Sequence, residues 1–102
     1  ILAHPGLITD EEVLLAKDKG ILLEISSRKG HSLTNGHVAR LAKKFDALLI
    51  FDTDAHSPGD LIDSFQARRV VLGAGLSDDD WKDMRNNARN LLRKIFPQPD
   101  IF

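Results

Sequence analysis

Residues 21–56, ILLEISSRKGHSLTNGHVARLAKKFDALLIFDTDAH, decide the fold class. They place a helical pattern between two short apolar runs, residues 21–25 and 47–51, which are nearly continuous in Ile, Leu or Phe. Runs of this kind are typical of strands that are buried on both faces of a parallel sheet. The helical pattern consists of apolar side chains at the offsets of one buried stripe: Val38, Leu41, Ala42 and Phe45. The stretch therefore predicts a strand–helix–strand unit.

The same alternation continues in both directions along the chain. Upstream, residues 1–4 form another apolar run, and a capping box of Thr9 and Glu12 begins a helix that runs to about Lys17. Downstream, the pattern predicts a helix over residues 58–67, a strand over residues 70–72, and a final helix capped by Ser77. The expected core stripe of that last helix is Trp81, Met84, Ala88, Leu91 and Ile95. We therefore predict an α/β protein of four βα units.

Composition bounds the class of protein and the partners it takes. The 102 residues are 42% hydrophobic and 28% charged, which fits a single globular domain over residues 1–102. With 14 basic and 15 acidic residues the net charge is -1, so nucleic acid is not an expected partner. No apolar run approaches the ~20 residues of a membrane span, so we expect no membrane contact. The absence of cysteine excludes thiolate metal sites and fits a cytoplasmic location.

The chain opens inside an apolar run at Ile1 and shows no positively charged leader. We expect it to be a fragment of a longer protein. Four βα units make half of a βα-barrel or a small open sheet, and either leaves strand edges and apolar surface uncovered. Mutual burial between two copies would relieve both, so we predict a homo-oligomer.

Unusual polar residues follow the predicted strands, where parallel α/β proteins carry their chemistry. His4 ends the first run, and Asp54 and His56 come after the third. Because residues two apart in an extended segment point to the same side, Asp54 and His56 are expected to project together. A carboxylate beside imidazoles suits a divalent cation such as Zn²⁺ or Mn²⁺. Such a pair also occurs simply as hydrogen-bonded loop residues, and the spacing leaves both interpretations open.

Three further features of the sequence permit more than one interpretation. Arg28 and Lys29, in the loop after the second run, either bind a phosphate or form a solvated basic turn. Glu24, flanked by apolar residues, is a metal ligand, a partner of a ligand, or the ion-pair partner of an arginine such as Arg28. His37, beside a helix start, is interpreted as a surface or capping residue.

Four motifs occur in an order that resembles the C-terminal part of the PHP (polymerase and histidinol phosphatase) superfamily. They are Ala3-His4-Pro5-Gly6, Leu23-Glu24-Ile25-Ser26, the stretch KGHSLTNGH over residues 29–37, and Thr53-Asp54-Ala55-His56-Ser57. The resemblance covers roughly residues 1–75. It implies the C-terminal half of a distorted, TIM-like (β/α)7 barrel with metal ions at the carboxyl ends of its strands.

The resemblance also implies an activity, which is metal-dependent hydrolysis of phosphoesters on a small phosphorylated substrate. Its late metal-binding histidine matches His4, and its closing D-x-H motif matches Asp54 and His56, with Zn, Mn or Fe as the metal. His31 or His56 is then the candidate general acid, and Arg28 and Lys29 the candidate phosphate-binding residues. The family's opening H-x-H motif and middle ligands have no counterpart here, so the metal site is incomplete and this chain alone is expected to be inactive.

The alternative is a non-catalytic PHP-like barrel module that binds protein or nucleic acid. A scaffold has no reason to keep His4 and the D-x-H pair at the strand ends, and the near-neutral charge disfavours RNA binding. These two observations favour the enzyme.

Overall fold

A computed structural model of the protein describes residues 1–96. In chain order, the elements are helix α1 Asp10–Asp18, strand β1 Leu23–Ser26, a 3-10 helix His31–Thr34, helix α2 Asn35–Phe45, strand β2 Leu49–Asp52, a 3-10 turn Pro58–Asp60, helix α3 Ser64–Gly73 and helix α4 Asp78–Ile95. The described residues therefore form four α-helices and two strands.

The strand–helix–strand unit predicted from residues 21–56 is confirmed. Strands β1 and β2 pair in parallel, with Leu23 opposite Leu49 and Ser26 opposite Asp52, and α2 connects them. Leu23 and Ile25 are fully buried and lie in one core cluster with Val38 and Leu41 of α2. The apolar stripe of α2 therefore covers the sheet, as its spacing predicts.

The prediction of four βα units forming half of a (β/α)7 barrel is wrong. The sheet of the described chain has only two strands, and residues 70–72, which were expected to form a strand, lie inside α3. Asp63 accepts a hydrogen bond from the Gln66 amide at 2.8 Å and so caps α3. Ala67 and Val71, one helical turn apart, are its buried residues. Residues 70–72 are the end of a helical stripe, and three consecutive apolar residues do not distinguish such a stripe from a buried strand.

The expected helix over residues 58–67 is also wrong in its start. Pro58 begins only a short 3-10 turn, in which Ser57 and Asp60 form a capping box. The chain is extended again at Leu61 before α3 begins at Ser64. Pro58 and the capping residues Ser57 and Asp60 therefore begin a short turn and not a helix.

The first apolar run contributes a single bridge to the sheet, not a strand. Leu2 lies opposite Leu23, donating from its amide to Leu22 O at 2.8 Å and accepting from the Glu24 amide at 3.2 Å. At His4 the backbone takes a positive φ of 79°, which turns the chain away from β1. The ladder with residues 1–4 therefore ends after one residue.

A side chain continues the ladder where the first run leaves it. The Asn35 side chain accepts from the Ser26 amide at 3.1 Å and donates to the Ser26 carbonyl at 2.8 Å. An amide side chain has the same donor and acceptor as a peptide unit, so Asn35 takes the place of a strand residue. This pairing satisfies the backbone of Ser26, which is buried at the edge of the sheet.

Helix α4 covers the other edge of the sheet. Its N-terminus has the predicted cap, because Ser77 and Asp80 form a capping box. Asn87 donates from its side chain to the outward carbonyl of Leu49 at 2.8 Å, and Trp81 meets the ring of Phe51 edge-on at 5.7 Å. The predicted stripe is only partly confirmed, since Met84 is buried and Ile95 is 61% exposed. Within residues 1–96, every helix is too short or too polar to cross a membrane.

Candidate metal site

Three side chains converge beside the carboxyl ends of the two strands. His4, His31 and Asp54 each offer one ligand atom, and these atoms all lie within 4.8 Å of one another. The imidazole rings of His4 and His31 have their centroids 4.3 Å apart, and His31 Nε2 lies 3.9 Å from Asp54 Oδ2. Ligands of a tetrahedral zinc ion lie ~3.4 Å apart, so only small side-chain shifts are needed to complete such a set.

Each of the three residues comes from a different segment of the chain. His4 follows the bridge of Leu2, His31 begins the 3-10 helix after β1, and Asp54 follows β2. Because the segments are parallel neighbours, their ends meet at one edge, as in other parallel α/β sites. The strand–helix–strand topology thus brings together residues that are far apart in sequence.

The backbone is unusual at two of the three cluster residues. His4 has φ of 79° and Asp54 has φ of 49°, and among the described residues only Asp46, at the end of α2, is a further non-glycine residue with positive φ. Histidine and aspartate tolerate this region better than most residues, but it still costs conformational energy. Such strain persists where the surrounding structure needs a side chain in a particular place, and it clusters at functional sites.

A buried carboxyl group adds to the acidic character of the cluster. Glu24 is only 3% exposed, and its Oε1 atom has no hydrogen-bond partner among the described residues. Burial raises its pKa, and the nearby carboxylates of Asp52 and Asp54 raise it further, whereas the charge of His4 lowers it. A bound cation would offset the negative charge of this unpartnered carboxyl and of the two carboxylates near it.

The positively charged guanidinium of Arg28 lies among these carboxylates. Its Nη1 donates to the Asp54 carbonyl at 3.0 Å and lies 3.5 Å from Asp60 Oδ2, and its Nε lies 3.7 Å from Asp54 Oδ2. The guanidinium therefore links the loop after β1 to the loop after β2. The ion pair of Arg28 with Glu24, which the sequence left open, is not formed, because the guanidinium faces Asp54 and Asp60 instead.

His56 is placed beside the cluster and not within it. Its Nδ1 contacts the Asp54 carbonyl at 2.8 Å and the Arg28 guanidinium, and its amide donates to Asp60 Oδ2 at 2.9 Å. The bond from the His56 amide lowers the pKa of Asp60, with contributions from the Ser57 amide and Arg28. The segment is not extended at Asp54, which has positive φ, so the spacing rule behind the expected Asp54–His56 pair does not hold there. The Arg28 guanidinium contacts both side chains.

The remaining sequence candidates, Lys29 and His37, lie outside the cluster, as does Asp52. Lys29 is exposed on the loop after β1, next to Arg28. Asp52, at the end of β2, accepts from the Thr53 amide at 2.8 Å and is also exposed. His37 Nε2 bonds the Ile8 carbonyl at 2.7 Å, which ties α2 to the segment before α1. His37 therefore has a structural contact, in keeping with its interpretation as a capping or surface residue.

Sequence reasoning named all three cluster residues but grouped them differently. His4 and Asp54 were predicted as metal ligands, while His31 was predicted only as a general acid. The signal for His31 was its place directly after β1, because the loop there is short enough to return the ring to the strand end. Asn35, which fixes that loop to Ser26, was missed. No sequence signal marks an asparagine that replaces a strand residue.

Comparison with known proteins supplies one relative and no functional description. The chain is similar to an uncharacterized protein of Methanocaldococcus jannaschii, MJ1295, with 43% identity over 96 residues. The alignment covers 93% of this chain but 44% of that relative, so the chain spans less than half of its length. No family model matches the chain, and no solved structure matches it.

Proposed function

We propose that the intact protein is a metal-dependent phosphoesterase of the PHP type, in which His4, His31 and Asp54 hold a divalent cation. The observation that carries this proposal is the convergence of the three ligand atoms within 4.8 Å beside the strand ends. Two imidazoles and one carboxylate are a donor set that suits Zn²⁺, Mn²⁺ or Fe²⁺. The unpartnered, buried Glu24 beside the set supports the fit, since a cation would offset its negative charge.

The residues around the cluster have roles that suit phosphoester hydrolysis. When bound, the cation would act as a Lewis acid on a phosphoryl oxygen and make a nucleophilic hydroxide available near neutral pH. Lys29 is exposed on the loop that carries His31, where its ammonium group can approach a phosphate. Arg28 holds Asp54 and Asp60 in place, and its positive charge is available to the same phosphate. His56, whose amide and Nδ1 both have hydrogen-bond contacts, lies beside the cluster and is a group there that can carry a proton.

Three ligands from this chain are fewer than a multi-metal site requires, and the relative is more than twice as long as the aligned segment. We place the remaining ligands in the rest of the intact protein and propose a small phosphorylated molecule as its substrate. A cytoplasmic location belongs to the same proposal and is supported by the cysteine-free composition.

The activity is tested on the longest natural protein that carries this sequence, with p-nitrophenyl phosphate and bis(p-nitrophenyl) phosphate as probes and added Mn²⁺ or Zn²⁺. We expect metal-stimulated hydrolysis of one probe, and a loss of about 100-fold or more in Asp54→Asn, which keeps the size of the side chain but removes a ligand charge. Asp79→Asn, an exposed aspartate in the first turn of α4, is the matched control and should hydrolyse normally. A protein that binds metal but hydrolyses neither probe would favour the non-catalytic module.

A further inference from the structure

Glu24 is the only buried charged residue among residues 1–96. It lies in the middle of a strand whose four residues are all buried, and its Oε1 atom has no hydrogen-bond partner within residues 1–96. A buried carboxyl without a partner is costly, and native proteins rarely keep one that has no role. Glutamine or an aliphatic residue would fill the same space at lower cost. Folding stability therefore does not explain why a glutamate occupies this position.

The backbone places Glu24 next to His4. The amides of both residues donate to the same atom, the carbonyl oxygen of Leu2, at 3.2 Å from Glu24 and 3.0 Å from His4. The backbone amides of the two residues are thus neighbours at the edge of the sheet.

The charged groups near Glu24 leave His4 as its partner. Asp52 and Asp54 are negative and repel a charged Glu24. Arg28 is directed to Asp54 and Asp60, at 3.7 and 3.5 Å. His4 differs from all of these, because it has two ring nitrogens and only one of them can face a cation held with His31 and Asp54.

We infer that Glu24 is a positioning residue for His4, accepting the N–H of the ring nitrogen that does not face the cation. The inference rests on the proposed metal site. A histidine ligand generally donates its other N–H to a carboxylate or carbonyl, which fixes the tautomer, orients the ring and makes the ligand nitrogen more basic. Glu24 meets these needs, since it is buried, it is held by the strand backbone, and its Oε1 atom has no hydrogen-bond partner among the described residues.

The inference is tested on the full chain by measuring Zn²⁺ affinity in competition with a chromophoric chelator. Glu24→Gln keeps an acceptor but loses the charge, and Glu24→Met removes both. We expect ~10-fold weaker binding for the glutamine variant and up to ~100-fold for the methionine variant, the range found for such outer partners. Glu11→Gln removes the same charge from an exposed position on α1 and should bind Zn²⁺ like the wild type.

Two further measurements separate positioning from a merely structural role. Without metal, Glu24→Met should be at least as resistant to urea as the wild type, because it removes a buried, unpartnered carboxyl. A structural role would instead reduce folding stability and metal affinity together. Ring ¹⁵N chemical shifts of His4 in the Zn²⁺-loaded chain should show one fixed tautomer in the wild type and a mixture of tautomers or a disordered ring in Glu24→Met.

The outcomes distinguish this inference from the proposed function. If the wild type binds Zn²⁺ and both Glu24 variants bind it equally well, the role of Glu24 is overturned and the metal site stands. If the wild type binds no Zn²⁺, the role of Glu24 and the metal site of this chain are overturned together, and the activity proposed for the intact protein is decided by its own hydrolysis assay. Weaker binding in the variants with unchanged metal-free stability supports both.

Discussion

At the scale of single residues, two histidines compete for the third ligand position of the site. The D-x-H spacing favours His56, whereas the structure places His31 within 4.8 Å of His4 and Asp54 and ties His56 to the Asp54 carbonyl. We predict that His31→Gln weakens Zn²⁺ binding by about 10-fold or more, since one of three ligands is lost, and that His56→Gln weakens it less. His37→Gln is the matched control, because His37 bonds a backbone carbonyl away from the cluster. The reverse order, with His56 the more important histidine, would show that the cluster rearranges when metal binds.

The pH dependence of stability is a second prediction at this scale. Burial, followed by Asp52 and Asp54, raises the pKa of Glu24 above its ordinary value of 4.5, so the metal-free folded state binds this proton more tightly than the unfolded state. The stability that Glu24 contributes is therefore fully present below about pH 4.5 and is lost as pH rises through its raised pKa. Urea denaturation followed by the fluorescence of Trp81 should show this loss in the wild type. Glu24→Gln should lack it, and equal pH profiles for the two chains would contradict the buried, unpartnered state of Glu24.

The sequence predicted the residues of the site better than their arrangement. His4 and Asp54 were found because each follows an apolar run, and strand ends are where a parallel sheet gathers its polar residues. The positive φ values of His4 and Asp54 were not predictable, because they arise from tertiary contacts such as the Arg28 bond to the Asp54 carbonyl. Those backbone conformations decide which histidine faces Asp54.

At the scale of elements, the edge of β1 depends on one side chain. Asn35→Ala would leave the buried amide and carbonyl of Ser26 without partners. We expect a loss of about 2–4 kcal/mol in the free energy of unfolding, because each buried backbone group left unpaired costs ~1–3 kcal/mol. Asn86→Ala, an exposed substitution of the same kind in α4, should be neutral or slightly stabilising. If the two variants are equally stable in urea, Asn35 does not act as a strand residue.

Helices were predictable where the spacing of apolar residues was helical over a sufficient length and a capping residue marked the start. The α2 stripe, the capping box of α1 and the Ser77 cap of α4 are local features, and each appears as predicted. The short runs at residues 1–4 and 70–72 were not decidable, because a few apolar residues fit a buried strand and a helical stripe equally well. In the first, the turn at His4 limits pairing to Leu2, and in the second, Ala67 and Val71 extend the helical period.

At the scale of the whole molecule, residues 1–96 leave apolar surface exposed at the amino ends of the strands. Ile1 and Leu48 are 54% and 53% exposed, and with Leu22 and Leu91 they line an open groove of about 350 Å³. Exposed apolar patches of this kind often mark interfaces. Self-association therefore stays a prediction, and we expect the sedimentation coefficient to rise with protein concentration.

We expect the two copies to contact each other through this groove. Leu48→Glu should abolish the concentration dependence, because it places a charge at the rim of the groove. Leu33→Glu, at an 86% exposed leucine in the 3-10 helix that follows β1, lies outside the groove; it is the matched control and should associate like the wild type. A wild-type chain that sediments as a monomer at every concentration would contradict the predicted homo-oligomer.

The central claim is that His4, His31 and Asp54 bind one divalent cation, and metal content per chain tests it most directly. The purified 102-residue chain and its Asp54→Asn variant would be loaded with Zn²⁺, dialysed exhaustively and measured by elemental analysis. We predict about one Zn²⁺ per wild-type chain and a much lower content in the variant, since three ligands form a usable partial site. Equal retention by both chains, or no retention by either, would contradict the assignment of this cluster as a metal site.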